Sequence, residues 1–229
     1  MQTINGSGWM RDSLIEKMAL EASEAVKAAS LDGLTGFHSE AEVKCRIRDE
    51  LNRMSMTDEM VQALYAADNV LDDACRFCME ADLADQVFLA VSGYLEKTER
   101  DYLAKRAFDR VTLEYNGYID KAKAMPADKI VEEMYAITAL YDLHISLEPG
   151  TSDFSTERLR ALDTLDSPLW SLYEEWMSRD CTHMDEIKDV ILTVADERLC
   201  ENAADRSGAA PDLSGIGGLE DGDGDGLEP

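Results

Sequence analysis

The chain of 229 residues carries 48 acidic against 22 basic residues, a formal net charge of −26, and 45% of it is hydrophobic. That apolar share suffices for a real core and excludes disorder throughout. The charge disfavours direct contact with nucleic acid and anionic membranes, whose phosphates call for basic residues, and favours encounter with a basic partner. Helix formers dominate, and alternating Val/Ile/Thr runs are absent, so an all-α fold is expected.

In chain order, "WMRDSLIEKMALEASEAVKAAS" sets Leu14, Met18, Ala22, Ala25 and Val26 along one helical stripe, and "DGLTG" ends it. Ser39 with Glu42 forms a capping-box pattern before "AEVKCRIRDELNRM". Thr57 caps "DEMVQALYAAD", and "NVLDDACRFCMEAD" reads as a fourth helix. Asp82 or Asp85 starts a long stretch reaching Met125, with bends or close packing expected at Gly93 and Gly117. Pro126 opens a helix that stops before Pro149-Gly150. "STERLRALDTLD" turns Leu159, Leu162 and Leu165 inward, Ser167-Pro168 opens "LWSLYEEWMSRD", and Thr182 caps the last helix. From residue 205 the chain is Gly-rich and acidic, too poor in apolar surface to offset its ordering entropy. The expectation is a multi-helix bundle of eight to nine helices, with helical regions over 1–110 and 111–204 and a disordered acidic C-terminal tail over 205–229.

The cysteines Cys45, Cys75, Cys78, Cys181 and Cys200 are odd in number and scattered, unlike a secreted disulfide framework. The N-terminus lacks a basic region followed by an apolar one, and no apolar run approaches the roughly 18 residues of a membrane span. These features set the expectation of a cytoplasmic protein.

Four places offer candidate chemistry. Cys75-x-x-Cys78 with Cys181 and His183 could make a tetrahedral zinc set, but the helical pattern around Cys75 and Cys78 favours a buried i,i+3 pair. The adjacent carboxylates Glu132-Glu133, Glu174-Glu175 and Asp185-Glu186 point to different sides of their helices, away from the convergence that shared-proton catalysis needs. "DGDGDG", beginning at Asp221, matches the start of a calcium loop whose twelfth position falls beyond Pro229. No catalytic, cofactor or metal residue is therefore assigned. Trp170, Tyr173 and Trp176 recur every three residues, either as core or as an aromatic docking face.

Charge is blocked along the chain. Met54–Glu96 holds nine acidic residues and one basic, Arg76, and Ile130–Cys200 holds sixteen acidic and five basic. Between them Lys97, Arg100, Lys105, Arg106 and Arg110 make a locally basic segment. Asp68, Asp72, Asp73, Glu174 and Glu175 are the expected partner contacts, with Trp170, Tyr173 and Trp176 as the aromatic alternative.

Two segments, Tyr115–Glu148 and Ser167–Ile191, carry Tyr118-Ile119, Pro126 opening a helix, Pro168-Leu169, Tyr173-x-x-Trp176 and Met184-Asp185. In these features the region 115–204 resembles an uncharacterised bacterial family, domain of unknown function number three-eight-four-eight. The resemblance implies a context of gut anaerobes and their mobile genetic elements, with no known catalytic residues. Together with the charge, it sets the expectation of a non-enzymatic protein that binds a basic partner, most concretely an inhibitor of an RNA-guided or restriction nuclease (anti-CRISPR or anti-restriction type). The alternatives are a zinc-binding domain or metal enzyme, and a scaffold or regulatory subunit docking through the Trp170/Trp176 helix.

Overall fold

A computed structural model describes residues 6–31, 39–151, 153–179 and 185–208 as ten helices, with no strand among the described residues. They are α1 (Gly6–Leu31), α2 (Glu40–Arg53), α3 (Asp58–Ala66), α4 (Val70–Glu80), α5 (Val87–Lys123), α6 (Ala127–Glu132), α7 (Met134–Ser146), α8 (Thr156–Asp163), α9 (Pro168–Ser178) and α10 (Asp185–Gly208). The all-α expectation holds. The helix opened by Pro126 is divided at Glu133, where ψ opens to 0° while the carboxylate accepts the Tyr118 hydroxyl at 2.9 Å. Helix α10 continues to Gly208, past the expected start of the tail at residue 205, and residues 209–229 of that tail lie outside the described residues.

Two cores sit in succession along the sequence. The first gathers buried side chains of α1 to α4 and the start of α5, from Leu14 to Leu95. The second gathers α5 from Leu103 with α7 to α10, ending at Ala195. The boundary expected at 110/111 falls inside α5, while the change of core falls between Leu95 and Leu103.

One sequence feature explains how a single helix serves both. On α5 the buried line Val87, Val91, Leu95, Glu99, Leu103, Ala107, Val111 repeats every four residues. At 3.6 residues per turn each step advances about 40°, so the line winds roughly 240° around the helix. The face offered to α2–α4 is thereby turned well away from the face offered to α7–α9. Gly93 and Gly117 do not interrupt this 37-residue helix. Gly93 lets the Phe77 ring approach, 3.4 Å from where a Cβ would stand, and Gly117 has open space.

Glu99 occupies the changeover and is 3% exposed. Its Oε1 accepts from Thr57 Oγ1 at 3.0 Å and Arg160 Nη2 at 2.5 Å, tying the start of α3 and the middle of α8 to one point on α5.

Local chemistry sets the helix ends. Ser39, Thr57 and Ser155 cap α2, α3 and α8, accepting from Glu42, Met60 and Arg158 N–H groups. Asp82 does not start α5. It ends α4: its φ is +55°, Leu83 N–H bonds Cys78 O at 3.0 Å, and its own N–H bonds Met79 O at 3.2 Å. That is the left-handed helix stop usually given to glycine, which aspartate tolerates better than most residues. Asp85 does not cap α5 either; Gln86 holds that position without a side-chain bond. On α1, Leu14, Met18 and Ala22 are buried as expected, but Ala25 is only half-buried and Val26 is exposed, because the first core ends before the last turns of the helix.

Two outcomes follow. Asp82→Gly removes left-handed strain and raises the unfolding free energy by about 0.5–1 kcal/mol in denaturant titration. Glu99→Ala orphans Arg160 and lowers it by about 2–3 kcal/mol, less than the roughly 3–5 kcal/mol of a fully buried pair because Arg160 is one-third exposed.

Candidate functional site

The expected contact residues fall on both cores. Asp68 is exposed in the α3–α4 connection, and Asp72 and Asp73 stand in the first turn of α4, where negative charge suits the helix dipole. Glu174 and Glu175 lie on α9, over the second core. The structure therefore presents two acidic patches rather than one site.

The carboxylates are not equally available. Asp72 Oδ1 lies 2.6 Å from Lys44 Nζ, which also meets Glu40 at 2.5 Å. Burial of that ammonium works against its charge, yet the hydrogen bonds it donates to Asp72 and Glu40 and their negative charge together outweigh it and raise its pKa. Asp73 pairs with Arg76 at 2.5 Å and Glu175 with Arg179 at 2.6 Å. Asp68 and Glu174 make no ion pair among the described residues. Glu174 and Glu175 join Glu197 and Glu201 around an open cleft between α9 and α10, with Arg198 its single lining cation. Arg198 is itself bonded to Glu201 at 2.8 Å.

The cations mostly turn to the protein's own acceptors. In the basic segment of α5, Lys97 pairs with Asp101 at 2.7 Å, Lys105 with Asp109 at 2.6 Å, and Arg106 with Asp163 at 3.0 Å. Arg110 donates to the carbonyls of Asp163, Leu165 and Asp166 at the end of α8. Arg11 reaches Met54 O at 3.2 Å and Lys17 reaches Ala67 O, the C-caps of α2 and α3. Positive charge is thus drawn to the negative ends of helix dipoles inside the fold.

Two carboxylates act the same way at helix starts. Asn69 makes no side-chain bond at the start of α4; Glu21 of α1 accepts from Leu71 N–H at 2.9 Å instead. Ser167 likewise leaves α9 uncapped, and Glu114 of α5 accepts from Leu169 N–H at 3.1 Å. Burial raises the Glu114 pKa, partly offset by those backbone donors. Neither partnership has a local sequence signal, because each cap comes from a distant helix.

The α9 aromatics face inward. Trp176 is 8% exposed, and its Nε1 donates to Tyr135 Oη at 3.0 Å. Trp170 and Tyr173 are half-buried against the second core; the Trp170 ring makes edge contacts with Tyr118 and Tyr173 at 5.5 and 5.9 Å. The docking face expected from the Trp170/Trp176 helix is accordingly a packing face, as its amphipathic spacing permits. Nearby, His144 lies between Phe108 and Tyr115, centroids 4.9 and 5.0 Å away, with Nε2 2.8 Å from Thr112 Oγ1.

Cys75 and Cys78 are a buried helical pair on α4. Burial pushes the Cys75 thiol up to about 11 and raises Cys78 as well. Cys181 and His183 lie outside the described residues, and no group of three or more potential metal ligands converges among the described ones. No described helix is long and apolar enough to cross a membrane. No family model, curated protein or solved structure matches the chain.

Burial lowers the His144 pKa below its ordinary 6.5. The unfolded chain then takes up this proton more readily, so the stabilisation from the neutral ring is complete above that value and is lost as pH falls through it. The melting temperature of the wild type should accordingly drop more between about pH 7.5 and 5.5 than that of His144→Gln.

Proposed function

We propose that this chain is a non-enzymatic acidic interaction protein that binds a basic partner through carboxylates displayed on ordered helices. In its most concrete form it inhibits a host defence nuclease, of RNA-guided or restriction type, by competing with nucleic acid. The observation that carries this reading is the disposal of charge. Arg11, Lys17 and Arg110 are drawn onto helix C-termini and Arg106 onto Asp163, 11% exposed. Asp68, Glu174, Glu197 and Glu201 are exposed. Carboxylates repeated at one-turn intervals can occupy a channel built for phosphates. The resemblance of residues 115–204 to the uncharacterised bacterial family implies a setting of gut anaerobes and their mobile elements, and this reading takes that setting as its context.

Ion pairing distinguishes the proposed contacts. Asp68 and Glu174 carry the interaction most directly, whereas Asp72, Asp73 and Glu175 must share their charge with Lys44, Arg76 and Arg179.

The test is inhibition of purified nucleases by the purified chain across salt. Between about 50 and 300 mM monovalent salt, inhibition should weaken at least tenfold, since surface charges are screened beyond roughly 8 Å at physiological ionic strength. Asp68→Lys with Glu174→Lys should weaken it a further tenfold at low salt without altering the helical circular dichroism. Inhibition unmoved by salt and by both reversals would reject competition by charge.

A further inference from the structure

Helix α7 reads "MYAITALYDLHIS", with one carboxylate, Asp142, and no lysine or arginine. One side of it is core: Ala139, Leu140 and Leu143 are buried in the second cluster. A helix at the surface normally turns charge to solvent on the opposite side. Here that side is apolar as well. Met134 and Tyr141 are 57% and 48% exposed, with Thr138 and the half-buried Ile145 in line with them, and on α6 Val131 is 67% exposed.

The spacing of these residues is informative. Val131, Met134, Thr138, Tyr141 and Ile145 follow intervals of three, four, three and four, the a and d positions of a heptad. At the turn Glu133 has φ −86° and ψ 0°, and the i−4 bonds from Glu133 N–H to Lys129 O and from Ile137 N–H to Glu133 O, at 3.0 and 2.9 Å, keep α6 leading into α7. Tyr135, 57% exposed, flanks it and rests on Trp176 through their hydrogen bond. The aromatics of α9 therefore support this face from beneath. A seam of this periodicity is complementary to one kind of object, a second helix with its own apolar stripe.

Charge selects the occupant. Asp128 and Glu132 stand at the N-terminal end of the seam, Asp142 along it, and Glu148 at its C-terminal end; Lys129, bonded to Glu132, is the one lysine or arginine over 127–148. A second copy of the chain is poorly matched. Antiparallel pairing centred on Thr138 sets Glu148 of one copy against Asp128 of the other, ten residues either side of the centre. Parallel pairing sets every carboxylate against itself, and each copy brings a formal charge of −26. A basic helix meets all of these groups with opposite sign.

We infer that the outer face of α6–α7 is a docking seam for an amphipathic helix of a partner protein, apolar along its stripe and lysine- or arginine-rich beside it. This inference rests on the reading above only for the sign of the partner's charge. The seam itself is independent of the patches at Asp68 and Glu174.

The experiment is calorimetric titration of the full chain with three synthetic peptides of four heptads. The first has leucine at a and d with lysine and alanine elsewhere. The second replaces its lysines with glutamate, and the third keeps the composition but scrambles the leucines out of register. The first should bind at least tenfold more tightly than either of the others. Met134→Ser with Tyr141→Ser should lower its affinity at least tenfold, while Leu20→Ser, at an exposed site on α1, leaves it unchanged. Equal binding of the scrambled peptide would reduce the effect to bulk charge, and equal binding of the acidic one would remove the charge selection; either overturns the inference. So would indifference to the seam substitutions. A wild-type dimer in sedimentation that dissociates in the seam variant would assign the face to a second copy. A tenfold gain in affinity from Leu213→Ser, Ile216→Ser and Leu219→Ser together would assign it to residues 209–229 of the same chain. Asp68→Lys with Glu174→Lys should leave the preference for heptad register intact, so loss of nuclease inhibition and loss of seam binding are separately readable.

Discussion

The architecture depends on one winding ridge on α5 and on the carboxylate at its midpoint. A four-residue repeat on a 3.6-residue helix cannot stay on one face, so the buried line from Val87 to Val111 turns as it rises. Each half of the helix therefore meets a different set of neighbours. Where the first apolar set ends at Leu95 and the second begins at Leu103, the intervening ridge position is Glu99. A hydrophobic side chain there would also be buried, but it would not fix α3 and α8 to the same point. Glu99 does so with two directed bonds, to Thr57 and Arg160. Removing Arg160 would leave the buried Glu99 carboxylate with Thr57 as its remaining bonded partner, which makes the arrangement costly to disturb.

The same logic of distant polar partners shapes the surface. Glu21 and Glu114 satisfy helix starts that their own connections leave open, while Arg11, Lys17 and Arg110 satisfy helix ends. Interior helix termini carry unpaired backbone groups, and long ionic side chains reach them from neighbouring helices. Arg11, Lys17 and Arg110 are employed in this way, while Arg53, Arg76, Lys105 and Lys123 stay on the surface beside their own carboxylates.

Much of the fold was legible from the sequence because helix punctuation is local. Ser39, Thr57, Pro126 and Pro168 each stand at or beside the helix start they announce. The i,i+3 cysteines of α4 and the inward leucines of α8 followed from periodicity. What was not legible depends on tertiary partners or backbone conformation. Asp82 has the composition of a helix start, and its positive φ makes it a stop. Val26 continues the apolar stripe of α1, but no core extends beneath it. Of the candidate contacts, surface acidity could be read directly, whereas the hold of Lys44 on Asp72 and the inward turn of Trp176 required the packed neighbours. The heptad seam of α6–α7 was present in the letters all along. Only the exposure of Val131, Met134 and Tyr141 distinguishes it from a buried stripe.

The order of the two cores has a consequence for synthesis on the ribosome. Every residue of the first cluster precedes Glu96, so that half can close while the remainder of the chain is still being made. The second cluster needs Ala195, and until α7 to α10 emerge, the distal part of α5 projects as a bare rod with Leu103, Ala107 and Val111 uncovered. Domains completed N-terminal first are the usual case in translation. In this chain the finished half would serve as a mount for the unfinished one, so nascent-chain quality control would meet its most aggregation-prone intermediate late, on a helix already anchored at its base.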